Sequence, residues 1–556
     1  MSQAARPRPR LSPQVLERIA VVALLLLAFV PRVRDIGRGF DRGFEGYQGS
    51  FHAIAAANYE GLGAGAAGGY PVLNIDRPES AQDWFVYANH SPATPLLAWA
   101  GLKFMGPAGW AAEWQAGETP AGVEAPMRSP FLLLHMLGIL ALWWVARVAF
   151  GTQVALIALA LVSSLPVSAL YGSLVNVETP SVPFLLVAVA CYGNYVRAAS
   201  RVALVGMGIA FFGGCAVTYG PAFCLPFLCL RSLWKRRPQE ALIVGAVGAL
   251  ACLAPILLHG WWANHVLAGL GKSPASLMGR AQELLQPLLA GDLPLSAWIG
   301  LQLEHAGRAQ GYALIPVAAV GLLLCALRGL SSSKDERLAR LEWPAAPREN
   351  VDLATPLLLG ACLYLFAFYK HTAQEQWSFQ LYLVPGVCLL AARALHSISL
   401  PLQRLRGGIA PLVLCTGTIM LPGLARFENW RGMERAAGPR DDAALSRGPA
   451  APLPQTVGVQ LAQLLPAGSV GFHPSALGLT PAAAWYAHRS LFPVANPGDP
   501  AIDLVLQATG LASAPQFFVL PKDPAPQAAQ AVQDLRAAFA DVAPTYETDK
   551  WAAWSR

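Results

Sequence analysis

The chain has 556 residues, of which 54% are hydrophobic and only 13% charged, against about 25% charged in an ordinary soluble domain. So little charge cannot solvate the several soluble domains that the length alone would suggest, whereas a surface facing lipid needs none. Apolar dominance excludes a disordered or collagen-like chain, and the net charge of +7 sits in short clusters such as Arg231, Lys235, Arg236 and Arg237, a topology signal and not a nucleic-acid-binding stripe.

A helix crosses about 30 Å of hydrocarbon in about 20 residues. Apolar runs fall at 18–34, 130–149, 153–172, 180–197, 202–217, 219–233, 241–260, 311–328, 355–369, 378–396 and 408–425. They predict an α-helical polytopic membrane domain over 1–425 with about eleven spans, range about 9–13, because the pair within 202–233 is short for two. The first run follows Arg6, Arg8 and Arg10 but lacks a small-residue cleavage site after it, so it reads as an uncleaved span. With the N-terminus in the cytoplasm, alternation puts Arg147, Arg197, Arg201, the 231–237 cluster, Lys334, Arg337, Arg340, Arg348, Arg404 and Arg406 inside.

Three pieces then lie outside. A long first loop, 35–129, contains an apolar stretch, 95–105, too short to span and suited to the interface. A second, 261–310, carries Trp261, Trp262 and Trp298, suited to headgroup depth. The tail opens with a charged, Pro/Ala-rich linker at 426–455. Over 456–556 it alternates β-like runs (469–472, 516–520) with helical patterns such as 528–540, the signature of a small extracytoplasmic α/β domain. All nine cysteines lie inside apolar stretches with no CxxC pair, and read as packing residues.

Charged groups at membrane depth cost roughly 2.5–3.5 kcal/mol each on insertion scales, so polar groups at span ends carry information. Four such places fall on the outer side. The first, 40–52, sets Asp41, Glu45 and Tyr47 among glycines and aromatics; a carboxylate just outside a membrane helix is placed to take a proton from an acceptor hydroxyl, with a solvated loop acid as the alternative. In the second, 87–96, Asn89 and His90 lead into the short apolar helix, where an imidazole and free backbone N–H groups suit a phosphate oxygen, with a satisfied polar contact of the histidine as the alternative. In the third, 176–180, Pro180 fits the first turn of the next helix and places Glu178 near its N-cap, as a capping acid or a functional one. The fourth, 369–377, holds Lys370, His371 and Glu375 between spans nine and ten; the basic pair suits an anionic group, with snorkelling at the membrane edge as the alternative.

In this order and sidedness the residues resemble the GT-C superfamily of membrane glycosyltransferases, which use lipid-phosphate-linked sugars. The nearest likeness is to the family-39-like branch related to protein O-mannosyltransferases and the lipid A aminoarabinose transferase. Glu45-Gly46-Tyr47 matches that branch's acid-Gly-aromatic pattern after the first span, although the usual Asp-Glu doublet reads Phe44-Glu45 and leaves Asp41 as a rival base. The family's His-Pro-Pro-Leu stretch has a looser echo in His90-Ser91-Pro92 followed by Thr94-Pro95-Leu96. Its second-loop acid corresponds to Glu178, and its late Lys/His segment to Lys370-His371 ahead of Leu383-Val384-Pro385.

The resemblance implies an integral membrane glycosyltransferase of a bacterial cell envelope, multi-pass in the cytoplasmic membrane. It would move a sugar from a polyprenyl-phosphate donor to an acceptor hydroxyl on a glycan, lipid or protein outside, with inversion. Glu45 would act as base, Glu178 would orient a hydroxyl or help hold a divalent cation, and Lys370, His371 and His90 would compensate the departing phosphate. A divalent cation is possible in the superfamily, but no ligand cluster in the sequence demands one. The alternative from another class is a non-enzymatic transporter or flippase of lipid-linked solutes. Acids at span ends and not at the bilayer midplane, and the lack of a visible internal repeat, weigh against it.

Overall fold

The computed structural model describes residues 12–34, 36–40, 44–75, 80–88, 90–116, 120–272, 277–330, 351–373, 377–406, 413, 416–421, 454–474, 481–494, 499–500, 502–503, 506, 511, 514–522, 524, 526–540 and 542–556. Helix α1 (Pro13–Val33) starts on Ser12, whose Oγ accepts from the Val15 N–H. It is followed by α2 (Phe44–Leu62), α3 (Ala93–Met105), α4 (Trp110–Gln115), α5 (Glu124–Phe150), α6 (Thr152–Ser164), α7 (Pro166–Tyr171) and α8 (Glu178–Ala198). Then come α9 (Arg201–Val217), α10 (Leu225–Trp234), α11 (Pro238–Gly269), α12 (Leu277–Leu289), α13 (Leu295–Gln310), α14 (Leu314–Leu330), α15 (Ala354–Ala367), α16 (Tyr369–Ala373) and α17 (Leu383–Arg406).

Among the described residues, Gln14–Val33, Glu124–Phe150, Glu178–Ala198, Pro238–Gly269 and Ser378–Leu400 are long and apolar enough to cross a membrane. The pair Leu295–Gln310 and Leu314–Ala326, bent by 107°, adds a sixth if taken as one span, and Thr152–Ser164, Arg201–Val217 and Ala354–Ala367 are apolar but shorter. The helices therefore follow the apolar runs of the sequence, with several runs broken. The last, 408–425, lies mostly outside the described residues. Val202 of α9 is 83% exposed and Leu250 of α11 is 73% exposed, an outward apolar face that suits lipid and would be a liability in water.

Proline explains the break within 153–172. Leu165 is extended (φ −72°, ψ 129°), as a residue before proline prefers, and Pro166 has no N–H to offer the Val162 carbonyl. The Arg32 guanidinium takes up that carbonyl at 3.1 Å, together with Ser163 O at 3.4 Å and Ser168 Oγ at 2.6 Å, so the buried arginine at the end of α1 is held by oxygens of the α6–α7 break. The pair within 202–233 is divided in the same manner. A 3₁₀ turn, Gly220–Cys224, carries Pro221 between α9 and α10, and Pro226 opens α10.

That 3₁₀ turn is crossed closely by α15 at Gly360, where a Cβ would stand 2.7 Å from Cys224 Cα. Gly360→Leu is expected to lower stability by about 1–3 kcal/mol through overpacking. A thermal unfolding curve in detergent that matches wild type would show that these two backbones do not meet.

Trp298, expected at headgroup depth, is turned into the protein. It is buried, stacks on Tyr369 with centroids 4.9 Å apart, and donates from Nε1 to Thr372 Oγ1 at 3.1 Å. Trp261 and Trp262 remain exposed near the end of α11, whose 32 residues give a rise of about 48 Å. The extra length lets it hold the first loop, through Trp262 Nε1 to Gly68 O at 2.8 Å and a 2.8 Å bond between His259 Nδ1 and Tyr70 Oη.

The expected α/β unit of the tail is present. It comprises α18 (Pro454–Leu464), β1 (Val470–Pro474), α19 (Pro481–Ala487), β2 (Ser490–Val494), β3 (Gln516–Pro521), α20 (Pro526–Ala537), β4 (Tyr546–Glu547) and β5 (Trp551–Ser555). The sheet order is β2-β1-β3-β5-β4, with β1 parallel to β2 and β3, and β5 antiparallel to β3 and β4. Apart from 454 and 455, the linker expected at 426–455 lies outside the described residues. Trp485 of α19 is fully buried against the first loop, stacked on Trp114 at 4.3 Å and edge-on to Phe40 at 6.2 Å.

Candidate active site

The start of α8 is set by Asn176. Its Oδ1 accepts from the Thr179 N–H at 2.7 Å, and its Nδ2 donates to Thr179 Oγ1 at 2.9 Å and Leu174 O at 3.0 Å. The cap is thus an asparagine, the role for which this side chain is well suited, and Glu178 is released from it. Glu178 is 2% exposed, and its Oε2 has no hydrogen-bond partner among the described residues. Behind it Tyr382 is pinned by a 2.5 Å hydrogen bond with Ser181 Oγ, and Tyr364 packs on Phe379 with centroids 5.4 Å apart.

His90 stands just ahead of α3, where Ser91 Oγ accepts from the Ala93 N–H at 3.2 Å. Its ring lies 5.9 Å from Tyr87, which in turn meets Phe51 edge-on at 4.9 Å. In the first turn of α3, Thr94 is fully buried and its Oγ1 is without a partner among the described residues.

Helix α2 supplies the remaining wall through Gln48, Phe51 and His52. Asn58, further along it, fastens the loop by donating to Val72 O at 2.7 Å and Asn74 O at 2.8 Å. His52 is 3% exposed, and neither ring nitrogen has a hydrogen-bond partner among the described residues. Burial first, and then the nearby His90, push its pKa down to about 3, so the ring is neutral at physiological pH.

These three elements, together with Tyr364 of α15, Phe368 and Phe379, line one cavity of about 740 Å³ including its open mouth. It is lined by Gln48, Phe51, His52, Tyr87, His90, Ser91, Thr94, Asn176, Glu178, Tyr364, Phe368 and Phe379, among others. Of the residues singled out in the sequence, the structure brings His90 and Glu178 together here. Glu45 and Tyr47 lie on α2, and the helical period puts position 45 on the face that carries Gln48 and His52; their side chains lie outside the described residues. Asp41, Asn89 and Glu375 lie outside them altogether.

Lys370 and His371 are not brought to the cavity wall. Lys370 Nζ pairs with Glu283 of α12 at 2.9 Å, on an exposed surface. The sequence gives no hint of that acid, which belongs to a different loop. His52 and Thr94 were missed by sequence reasoning. The available signal for His52 was its spacing of seven from Glu45 and four from Gln48, one face of one helix. Among the described residues no group of three His, Cys, Asp or Glu side chains is placed to hold a metal ion.

Residues 121–262 match the family model described as dolichyl-phosphate-mannose-protein mannosyltransferase. No curated protein sequence matches the chain significantly. Among solved structures, the chain is similar to ArnT from Cupriavidus metallidurans in the apo state, with a TM-score of 0.54, 13% identity and 98% of each chain covered. ArnT bound to undecaprenyl phosphate gives 0.51 and 12%, again over 98% of each chain. The apo oligosaccharyltransferase of Archaeoglobus fulgidus gives 0.52 and 13%, over 92% of this chain and 70% of that one. The chain therefore has the fold of the GT-C membrane glycosyltransferases, the superfamily that its sequence resembles.

Proposed function

We propose that the chain transfers a sugar from a polyprenyl phosphate to an acceptor hydroxyl at the extracytoplasmic face of a membrane, with inversion. One observation carries this reading: His90 and Glu178, far apart in sequence, line a single cavity with the helix that bears Glu45. Glu45 takes the proton of the acceptor as it attacks the anomeric carbon; the bond to the lipid phosphate breaks and the phosphate departs. Glu178, desolvated and uncommitted to the helix cap, orients a hydroxyl at the reacting centre. His90, just ahead of α3, faces the phosphate. No step in this reading uses a metal ion. The family match at 121–262 and the ArnT structure solved with undecaprenyl phosphate support the donor class.

The purified protein in liposomes is expected to transfer label from polyprenyl-phosphate-linked sugars and not from nucleotide sugars. Transfer directly from a nucleotide sugar, measured with the same acceptor extract, would overturn the donor assignment.

A further inference from the structure

The polar groups most deeply buried in the cavity wall include ones that the fold itself does not use. His52 is 3% exposed and Thr94 is 0% exposed, and neither the His52 ring nitrogens nor Thr94 Oγ1 find a partner among the described residues. They come from two helices packed against each other, α2 and α3, and face one space. An unpaired buried polar group costs about 1–3 kcal/mol, and folded proteins keep few of them. Keeping two on one wall is accounted for if a ligand pairs them.

The chemistry of that ligand follows from the two side chains. With its pKa depressed to about 3 by burial, the His52 ring is uncharged and offers one N–H donor and one nitrogen acceptor. A threonine hydroxyl likewise donates and accepts. A phosphate oxygen only accepts and is held best by charged donors, whereas a sugar hydroxyl both donates and accepts and matches both side chains. Among the described residues, the other ionisable groups lining the same cavity are Tyr87 and His90 ahead of α3, Glu178 of α8 and Tyr364 of α15.

We propose that His52 and Thr94 form a hydroxyl-binding wall that takes up a sugar hydroxyl, of the donor or of the acceptor, and leaves the phosphate to other groups. This rests on the lipid-linked sugar reading above.

The test compares wild type with His52→Leu and Thr94→Val on three probes: a short-chain polyprenyl phosphate, the same lipid carrying mannose, and methyl α-mannoside added to protein already loaded with bare lipid phosphate. Each variant is expected to bind the bare lipid phosphate as wild type does. Each should bind the mannose-carrying probe that uses the wall about 3- to 10-fold more weakly, the worth of one hydrogen bond. Loss on the mannosyl lipid assigns the wall to the donor sugar; loss on methyl α-mannoside alone assigns it to the acceptor. His52→Gln, which keeps a donor and an acceptor, is expected to recover most of the binding. Should His52→Leu fail to fold, Thr94→Val carries the test. Equal loss on the bare lipid phosphate, or no loss on either mannose probe, overturns the proposal. Wild-type protein that binds neither lipid overturns instead the donor reading beneath it.

Discussion

Glu45→Gln is expected to lower sugar transfer by about 10²–10⁴-fold, the usual worth of a positioned general base, with the unfolding temperature in detergent unchanged. The amide keeps the size and hydrogen-bonding reach of the carboxylate but cannot take a proton. The loss therefore belongs in kcat, with binding of the lipid-linked sugar preserved. Position 45 lies near the start of α2, on the face that seven residues later carries the buried His52, so its backbone is placed at the cavity end of the helix. Asp41, four residues earlier in the sequence, is the rival. Asp41→Asn assayed beside Glu45→Gln separates them: a full rate for Asp41→Asn with a crippled Glu45→Gln assigns the base, and the reverse pattern moves it to Asp41. A wild-type rate for Glu45→Gln removes the mechanism proposed above. If attack is by a single base-activated acceptor, the anomeric configuration of the product is opposite to that of the donor.

Much of this architecture was legible because lipid imposes a simple requirement on sequence. Spanning helices need long apolar runs, so α5, α8 and α11 could be read directly. The tail's strands at Val470–Pro474 and Gln516–Pro521 followed from short β-branched and aromatic runs between turn residues. The start of α8 was readable from Pro180 and Glu178, yet the cap proved to be Asn176, and that difference matters. It converts an acid with an ordinary local explanation into a buried carboxylate whose Oε2 has no partner among the described residues.

What escaped the sequence was mostly convergence over long separations. Nothing local in Lys370 announces Glu283, and a basic residue beside a membrane helix reads the same whether it meets a phosphate or an acid. Likewise Pro166 signals a break, but only the fold shows that the carbonyls beside it accept from Arg32, more than a hundred residues away. His52 escaped for the opposite reason. A histidine on an apolar helix face is ordinary, and it gains meaning only when Glu178 and His90 are seen across the same cavity.

Trp485→Ala is expected to be the most damaging single substitution outside the cavity, costing about 3–5 kcal/mol as a buried aromatic truncation and lowering transfer together with stability. Trp485 is 0% exposed and belongs less to the tail's own sheet core than to the core of the first loop. There it packs in one cluster with Phe40, Trp114, Ala53, Ile54 and Ala57. Ala53 and Ile54 adjoin His52 on α2, so the indole braces the turn of helix whose other side faces the cavity. Phe40 in turn presses on Gly49, where a Cβ would lie 2.5 Å from the Phe40 ring; a shift of Phe40 is thus felt directly by α2. The tail is on this argument part of the site's scaffold, although none of its residues lines the cavity among the described ones. Unfolding curves and transfer rates measured on Trp485→Ala and on Val542→Ser, an exposed position elsewhere in the same domain, distinguish the two roles. A scaffold role requires that Trp485→Ala lose both while Val542→Ser keeps both. If Trp485→Ala melts and turns over like wild type, the tail is an accessory domain and α2 is positioned by the membrane helices alone.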